Sequence, residues 1–318
     1  MEPIKEPTPL VLVTSSPHMH CGLTIGKSMR EVMLALVPAI IASVYYFRMS
    51  AAIVMVTCVV SAIVFETICN KVMHKPNTVQ DGSAALTGLL LAMCLPASMP
   101  PLFAAMGSMF AIVVGKAVFG GLGCNIFNPA HIGRAILLAS FPQQMTNWVL
   151  PATAAASDAV STATPLAVMR ATEKIWQAGG AASAAKLPDL MNLFWGNVGG
   201  SLGETCVGGL YLIYKKLIDW RIPVCYLVTV AILTGVYGAV MGYPSTFPLY
   251  HLFAGGLMIG AFFMATDWVT SPITKKGKII YAIGLGVLTS LIRLRGSYTE
   301  GVCYSILMMN MVTPMIDR

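Results

Sequence analysis

Apolar residues run along this chain in unbroken blocks rather than in alternation, and the polar breaks between blocks are short. The first blocks cover residues 32–47 and 51–72, and after the polar break His74-Lys75-Pro76-Asn77 come residues 84–95, 102–118 and 130–141. A second set covers residues 203–217, 223–241, 249–265, 279–294 and 301–315. A helix needs roughly 20 apolar residues to cross the hydrocarbon core, so the pattern predicts an all-α polytopic membrane protein with about ten transmembrane helices. A membrane β-barrel would need segments of about 10 residues with alternating polarity, whereas residues 51–65 are apolar on every face.

The blocks divide five and five, and an odd number of crossings per half forces the halves into opposite orientation. The architecture expected is therefore two inverted five-helix repeats, residues 31–142 and 201–318, joined by a polar segment at 143–200 and preceded by a short N-terminal segment at 1–30. The first 30 residues lack the apolar core of a cleavable signal. Short or Gly/Pro-interrupted stretches recur in both halves, at residues 87–96, 125–134, 255–272 and 296–313, which predicts broken helices meeting near mid-membrane. Half-helix ends and unwound backbone are where ligands bind in such proteins.

Charge fixes the expected orientation. With the N-terminus inside, thirteen of the 20 Lys and Arg fall on the cytoplasmic side, six fall outside, and Arg134 lies in a helix break. Short cytoplasmic loops are enriched in such residues, so both termini are expected in the cytoplasm and the 143–200 segment outside the cell membrane. The formal net charge of +7 is explained by these loops, and a nucleic-acid partner is set aside. Composition agrees: 56% of residues are apolar and 10% charged, against about 25% charged in soluble domains. Eight cysteines are scattered singly with no C-x-x-C pair, so they read as small buried residues, and no metal or iron–sulfur ligand set is expected.

Polar chemistry is sparse and therefore informative. The outer segment carries Asp158-Ala159-Val160-Ser161-Thr162-Ala163-Thr164-Pro165-Leu166, in which Thr164 offers a hydroxyl after a run of small residues, expected to be accessible on flexible backbone. Asn125 and Asn128 stand three apart at the entry to a broken helix, where their amides either serve a ligand or satisfy unwound backbone. Arg134 is a charge at membrane depth, suited to a phosphate, a carboxylate or a structural partner. Glu66 and Asp267 are intramembrane carboxylates, and with Asp317 near the terminus they are candidates for an ion path. Asp267 and Asp317 equally suit helix-end capping.

The order of residues from Asp158 to Leu166 resembles the sequence at which a flavin transferase joins FMN by a phosphoester to the last threonine. Together with Asn125-Ile126-Phe127-Asn128-Pro129-Ala130-His131-Ile132-Gly133-Arg134, with 260–267 and with Thr270-Ser271-Pro272, it is similar to the RnfD/NqrB family over residues 31–318. The resemblance implies covalent FMN on Thr164, with Asp158 and Ser161 part of the signature. It also implies a second, non-covalent flavin, riboflavin, at Asn125 and Asn128. It further implies a membrane subunit that relays electrons between ferredoxin and NAD+ in an Rnf-type complex coupled to Na+ or H+ transport. Such a subunit depends on other membrane and peripheral subunits and on a flavin transferase, and has no activity and no catalytic residue of its own. Inverted repeats with broken helices also describe channels and permeases, so a solute transporter is the rival reading.

Overall fold

The computed structural model describes residues 24–76, 78–151, 161–177, 187, 189–203, 208–296 and 300–318. Each of the ten apolar runs contains a helix. The first, α1 (Ile25–Val72), begins ahead of its apolar run because Thr24 caps it, Oγ1 accepting from the Lys27 N–H at 3.3 Å. Its 48 residues would extend about 72 Å as one rod. Arg48 interrupts it at φ 53° and ψ −137°, so α1 is two helical segments that part where the sequence places a polar break.

Four helices follow in the first half: α2 (Ser83–Met93), α3 (Pro101–Ile112), α4 (Pro129–Ser140) and the short α5 (Pro142–Thr146). A π-helical turn at Val113–Ala117 extends α3, and Gly120, Gly121 and Gly123 then turn the chain with positive φ toward α4. The polar segment forms a two-residue ribbon, β1 (Trp148–Val149) against β2 (Ser161–Thr162), then α6 (Pro165–Gln177) and α7 (Leu190–Trp195). In the second half come α8 (Gly208–Tyr214), α9 (Arg221–Met241), α10 (Phe247–Phe253), α11 (Leu257–Ile259), α12 (Lys275–Arg295) and α13 (Val302–Ile316). A π-helical turn at Gly260–Met264 continues α11, and this unit is bent by 64° from α10 at a break where Gly255 has φ 72°.

Among the described residues, α1, α9 and α12 are long and apolar enough to cross a membrane, and α10 with α11 adds a bent fourth candidate. The remaining apolar helices are shorter, and unwound backbone at their ends has to be satisfied without water. It pairs with itself: Leu202 and Gly203 N–H groups donate to the Leu95 and Met93 carbonyls at 3.2 and 2.8 Å, and Pro96 bridges Ser201. In the first half α1 packs on α2 and α3, and α3 on α4. In the second, α9 packs on α10 and α12, and α12 on α13. Contact of α4 with α13 joins the two groups, and small residues allow the close approaches. A side-chain carbon on Gly88 would stand 2.6 Å from the Cys58 carbonyl, and one on Gly133 would stand 2.5 Å from that of Gly107.

Candidate functional site: a cavity among broken helices

The π-helical turn after α3, the entry to α4, the start of α2 and the chain after Gly260–Met264 converge on a cavity of 290 Å³. That is near the small end of ligand-pocket sizes, which run ~300–1,000 Å³. Its walls are mostly apolar, with Met29, Val32, Leu86, Leu90 and Phe263 among them, and Asn125, Asn128, Thr87 and Asp267 supply polar groups. Asn128 caps α4, its Oδ1 accepting from the Ala130 N–H at 3.1 Å, while its amide donates to the Met264 carbonyl at 3.2 Å. The Asn128 N–H in turn donates to the Asn310 amide oxygen of α13 (3.1 Å), whose NH2 meets the Tyr281 hydroxyl at 2.8 Å. Asn125 donates to the Phe127 carbonyl at 3.0 Å. Both asparagines therefore hold the broken backbone and face the cavity. Ser28 also lines it, and its buried hydroxyl has no hydrogen-bond partner among the described residues. Such a group costs free energy unless something in the cavity bonds to it.

Glu66 is not alone in the membrane. Lys116, in the π-helical turn and on the cavity wall, lies 2.8 Å from both Glu66 carboxylate oxygens and 2.6 Å from the Ser83 hydroxyl. Thr78 donates to Glu66 at 2.8 Å, and both charged side chains are buried. The Ser83 hydroxyl in turn donates to Asp81 Oδ1, so one network ties α1, α2 and the turn after α3 together at the cavity edge. Asp267 follows the second π-helical turn, accepts from the Thr270 hydroxyl at 3.2 Å and lines the cavity. Asp317 instead accepts the Ile273 N–H at 3.1 Å and the Thr274 N–H at 3.3 Å, tying the chain end to the start of α12, and does not line the cavity.

Arg134 lies beyond the cavity along α4, about 9 Å from Asn128 by helical rise. It pairs with Glu300, whose other carboxylate oxygen accepts the Gly256 N–H at the break between α10 and α11. Directly above stands α6: a side-chain carbon on Gly255 would meet Leu166 at 2.9 Å and Glu300 at 3.6 Å. Arg170 of the same helix donates to the Arg293 and Gly296 carbonyls at the end of α12. Thr164 is the N-cap of α6, its carbonyl accepting from Val168 at 2.9 Å and its Oγ1 from the Ala167 N–H at 3.1 Å. The expected flexible loop is thus a half-buried helix start, because a threonine followed by proline is a strong helix entry. Ser161 sits in β2, and Asp158 lies outside the described residues.

Sequence reasoning missed Lys116, Glu300 and Ser28. Lys116 had a signal, since a lysine inside an apolar run is as much an intramembrane charge as Glu66. Glu300 precedes the last run and reads as an ordinary helix-start acid; Ser28 precedes the first and has no distinguishing pattern.

A mostly helical membrane protein whose bent and π-bulged helices enclose an apolar cavity with convergent polar groups is the class defined by this fold and site. The chain belongs to the NQR2, RnfD, RnfE family, whose model matches residues 12–318. It is 51% identical over 314 residues to the D-type subunit of the proton-translocating ferredoxin:NAD(+) oxidoreductase complex of Clostridium ljungdahlii, covering 96% of this chain and 93% of the relative. It is 45% identical over 314 residues to the D-type subunit of the Na(+)-translocating ferredoxin:NAD(+) oxidoreductase complex of Acetobacterium woodii, covering 96% and 92%. The corresponding D-type subunit of the ion-translocating oxidoreductase complex of Actinobacillus succinogenes is 35% identical over 346 residues, with 96% and 95% covered.

Proposed function

We propose that this chain is the D-type membrane subunit of an ion-translocating ferredoxin:NAD+ oxidoreductase complex. It carries FMN as a phosphoester on Thr164 and holds a second flavin, riboflavin, in the cavity. About ten transmembrane helices form two inverted repeats in the cytoplasmic membrane, with both termini inside, the flavinylated segment outside, and Na+ or H+ as the ion moved. Its partners are the other membrane and peripheral subunits, and a flavin transferase matures it.

The observation that carries the reading is the position of Thr164 at the first turn of a helix docked on the broken span. A phosphoester there sits at the positive end of α6, a position that suits a phosphate. Arg170 and Leu166 hold that helix over Gly255 and Glu300, and Arg134 links Glu300 to the middle of α4, whose N-terminal end is the Asn128 cap on the cavity. The first half of α4 therefore links the two proposed sites. The orphaned Ser28 hydroxyl and the small cluster of Asn, Thr and Asp groups in apolar walls fit an isoalloxazine, which presents flat apolar faces and a polar edge. A bound flavin supplies one-electron transfer; the residues of this chain position it, exclude water and hold the charges around it.

The test is co-expression with a flavin transferase, followed by a denaturing gel viewed for flavin fluorescence and by extraction of non-covalent flavin. Fluorescence on the wild-type band is expected to vanish in Thr164→Val, and Asn128→Leu is expected to lose only the extractable flavin. A dark wild-type band in a competent host refutes the covalent site and favours the transporter reading.

A further inference from the structure

Where α8 turns into α9 and α12 begins, on the lysine-rich face, lies a second cavity of 540 Å³. Lys216, Arg221 and Lys278 stand on its walls with Ser271, against a single carboxylate, Asp219. Asp219 binds Arg221 Nη1 at 3.0 Å and Lys278 Nζ at 3.2 Å, which holds both cations on the cavity wall. Lys216 is held at φ 57°, its N–H closing on the Ile213 carbonyl at 3.0 Å. Trp220 and Trp268 stand at the cavity 52% and 56% exposed, and Trp268 is anchored by its indole N–H on the Leu217 carbonyl at 2.7 Å.

We propose that this cavity seats the phosphate headgroup of an acidic diacyl phospholipid. Three cations around one carboxylate leave an excess positive charge, and guanidinium, ammonium and hydroxyl donors together match phosphate oxygens. Tryptophans with one polar edge belong at the level of lipid headgroups. Leading away from the cavity along α9, Val224, Val228, Ile232 and Val236 recur every fourth residue, and all are exposed. They form an apolar track for an acyl chain, which a free phosphate would leave unused. Leu217, Ile218, Thr266 and Trp268 line both cavities, so a lipid seated here covers the outer wall of the first.

The experiment titrates the full chain in neutral detergent with phosphatidylglycerol, phosphatidylcholine or inorganic phosphate and follows complexes by native mass spectrometry. A one-to-one phosphatidylglycerol complex is expected, weakened on the order of 30-fold by Lys216→Gln with Arg221→Gln and little changed by Lys275→Gln with Lys276→Gln on the same face. Equal weakening by both pairs, equal binding of phosphatidylcholine, or displacement by inorganic phosphate at the lipid's concentration overturns the proposal. An independent arm needs no charge removal. Phosphatidylglycerol with brominated acyl chains is expected to quench tryptophan fluorescence, with most of the quenching lost in Trp220→Phe with Trp268→Phe. Equal quenching by brominated phosphatidylcholine, or quenching unchanged in that variant, likewise overturns it.

Discussion

The Glu66–Lys116 pair offers the sharpest test of how the cavity edge is built. Both side chains are buried, and their contacts are nearly saturated: Lys116 reaches both Glu66 oxygens and the Ser83 hydroxyl, and Glu66 also takes the Thr78 proton. Glu66→Leu leaves an ammonium with one neutral hydroxyl for company, and Lys116→Met leaves a carboxylate with one. Each single change is expected to cost about 3–5 kcal/mol, the usual penalty for stranding a buried charge. The double variant replaces the pair by apolar groups of similar size. Ser83 keeps its bond to Asp81, and Thr78 is exposed and turns to water, so its cost is expected to fall to about 1 kcal/mol. A double-mutant cycle, measured by equilibrium unfolding in mixed micelles, should therefore return a coupling of at least ~5 kcal/mol. Two additive single losses below ~1.5 kcal/mol each would refute the reasoning, because they would mean that water reaches the pair.

Two further outcomes are expected. Burial pushes the Glu173 carboxyl of α6 up to about 7, against the opposing pull of Arg170, while His251 stands 3.9 Å away. A carboxyl raised above its unfolded value of ~4.3 weakens the folded state as pH rises from ~4.3 to about 7. Hydrogen exchange over residues 165–177 should show α6 docking loosen across that window, and Glu173→Gln should flatten the trend; a wild-type profile independent of pH would contradict this. Gly133→Ala brings a methyl within 2.5 Å of the Gly107 carbonyl and is expected to cost about 1–3 kcal/mol, seen as a lower unfolding midpoint. An unchanged midpoint would mean that α3 and α4 part without penalty.

The helices were legible because lipid asks only for apolar length. Each apolar block contains a helix whatever its neighbours do, and the polar breaks, such as Arg48, fall where the spans part. The asparagines at the entry to α4 were legible for a related reason, since Asn-Pro both caps a helix and advertises a break. Thr164 stood out as a residue but its setting did not: its run of small neighbours reads as loose loop although Thr-Pro is a local helix entry, and the packing of Leu166 and the bonds of Arg170 dock that helix start on the far half of the chain.

By itself, then, the sequence determined that this is an all-helical membrane protein, where its spans break, and which polar residues are too costly at membrane depth to be idle. Only the tertiary structure decided their partners. Glu66 meets Lys116 from fifty residues away, and Arg134 meets Glu300 across 166. Burial energy depends on apolar length, which is local and additive along the chain. Charge pairing and cavity shape depend on which helix faces meet, and nothing in the order of residues within one helix records that.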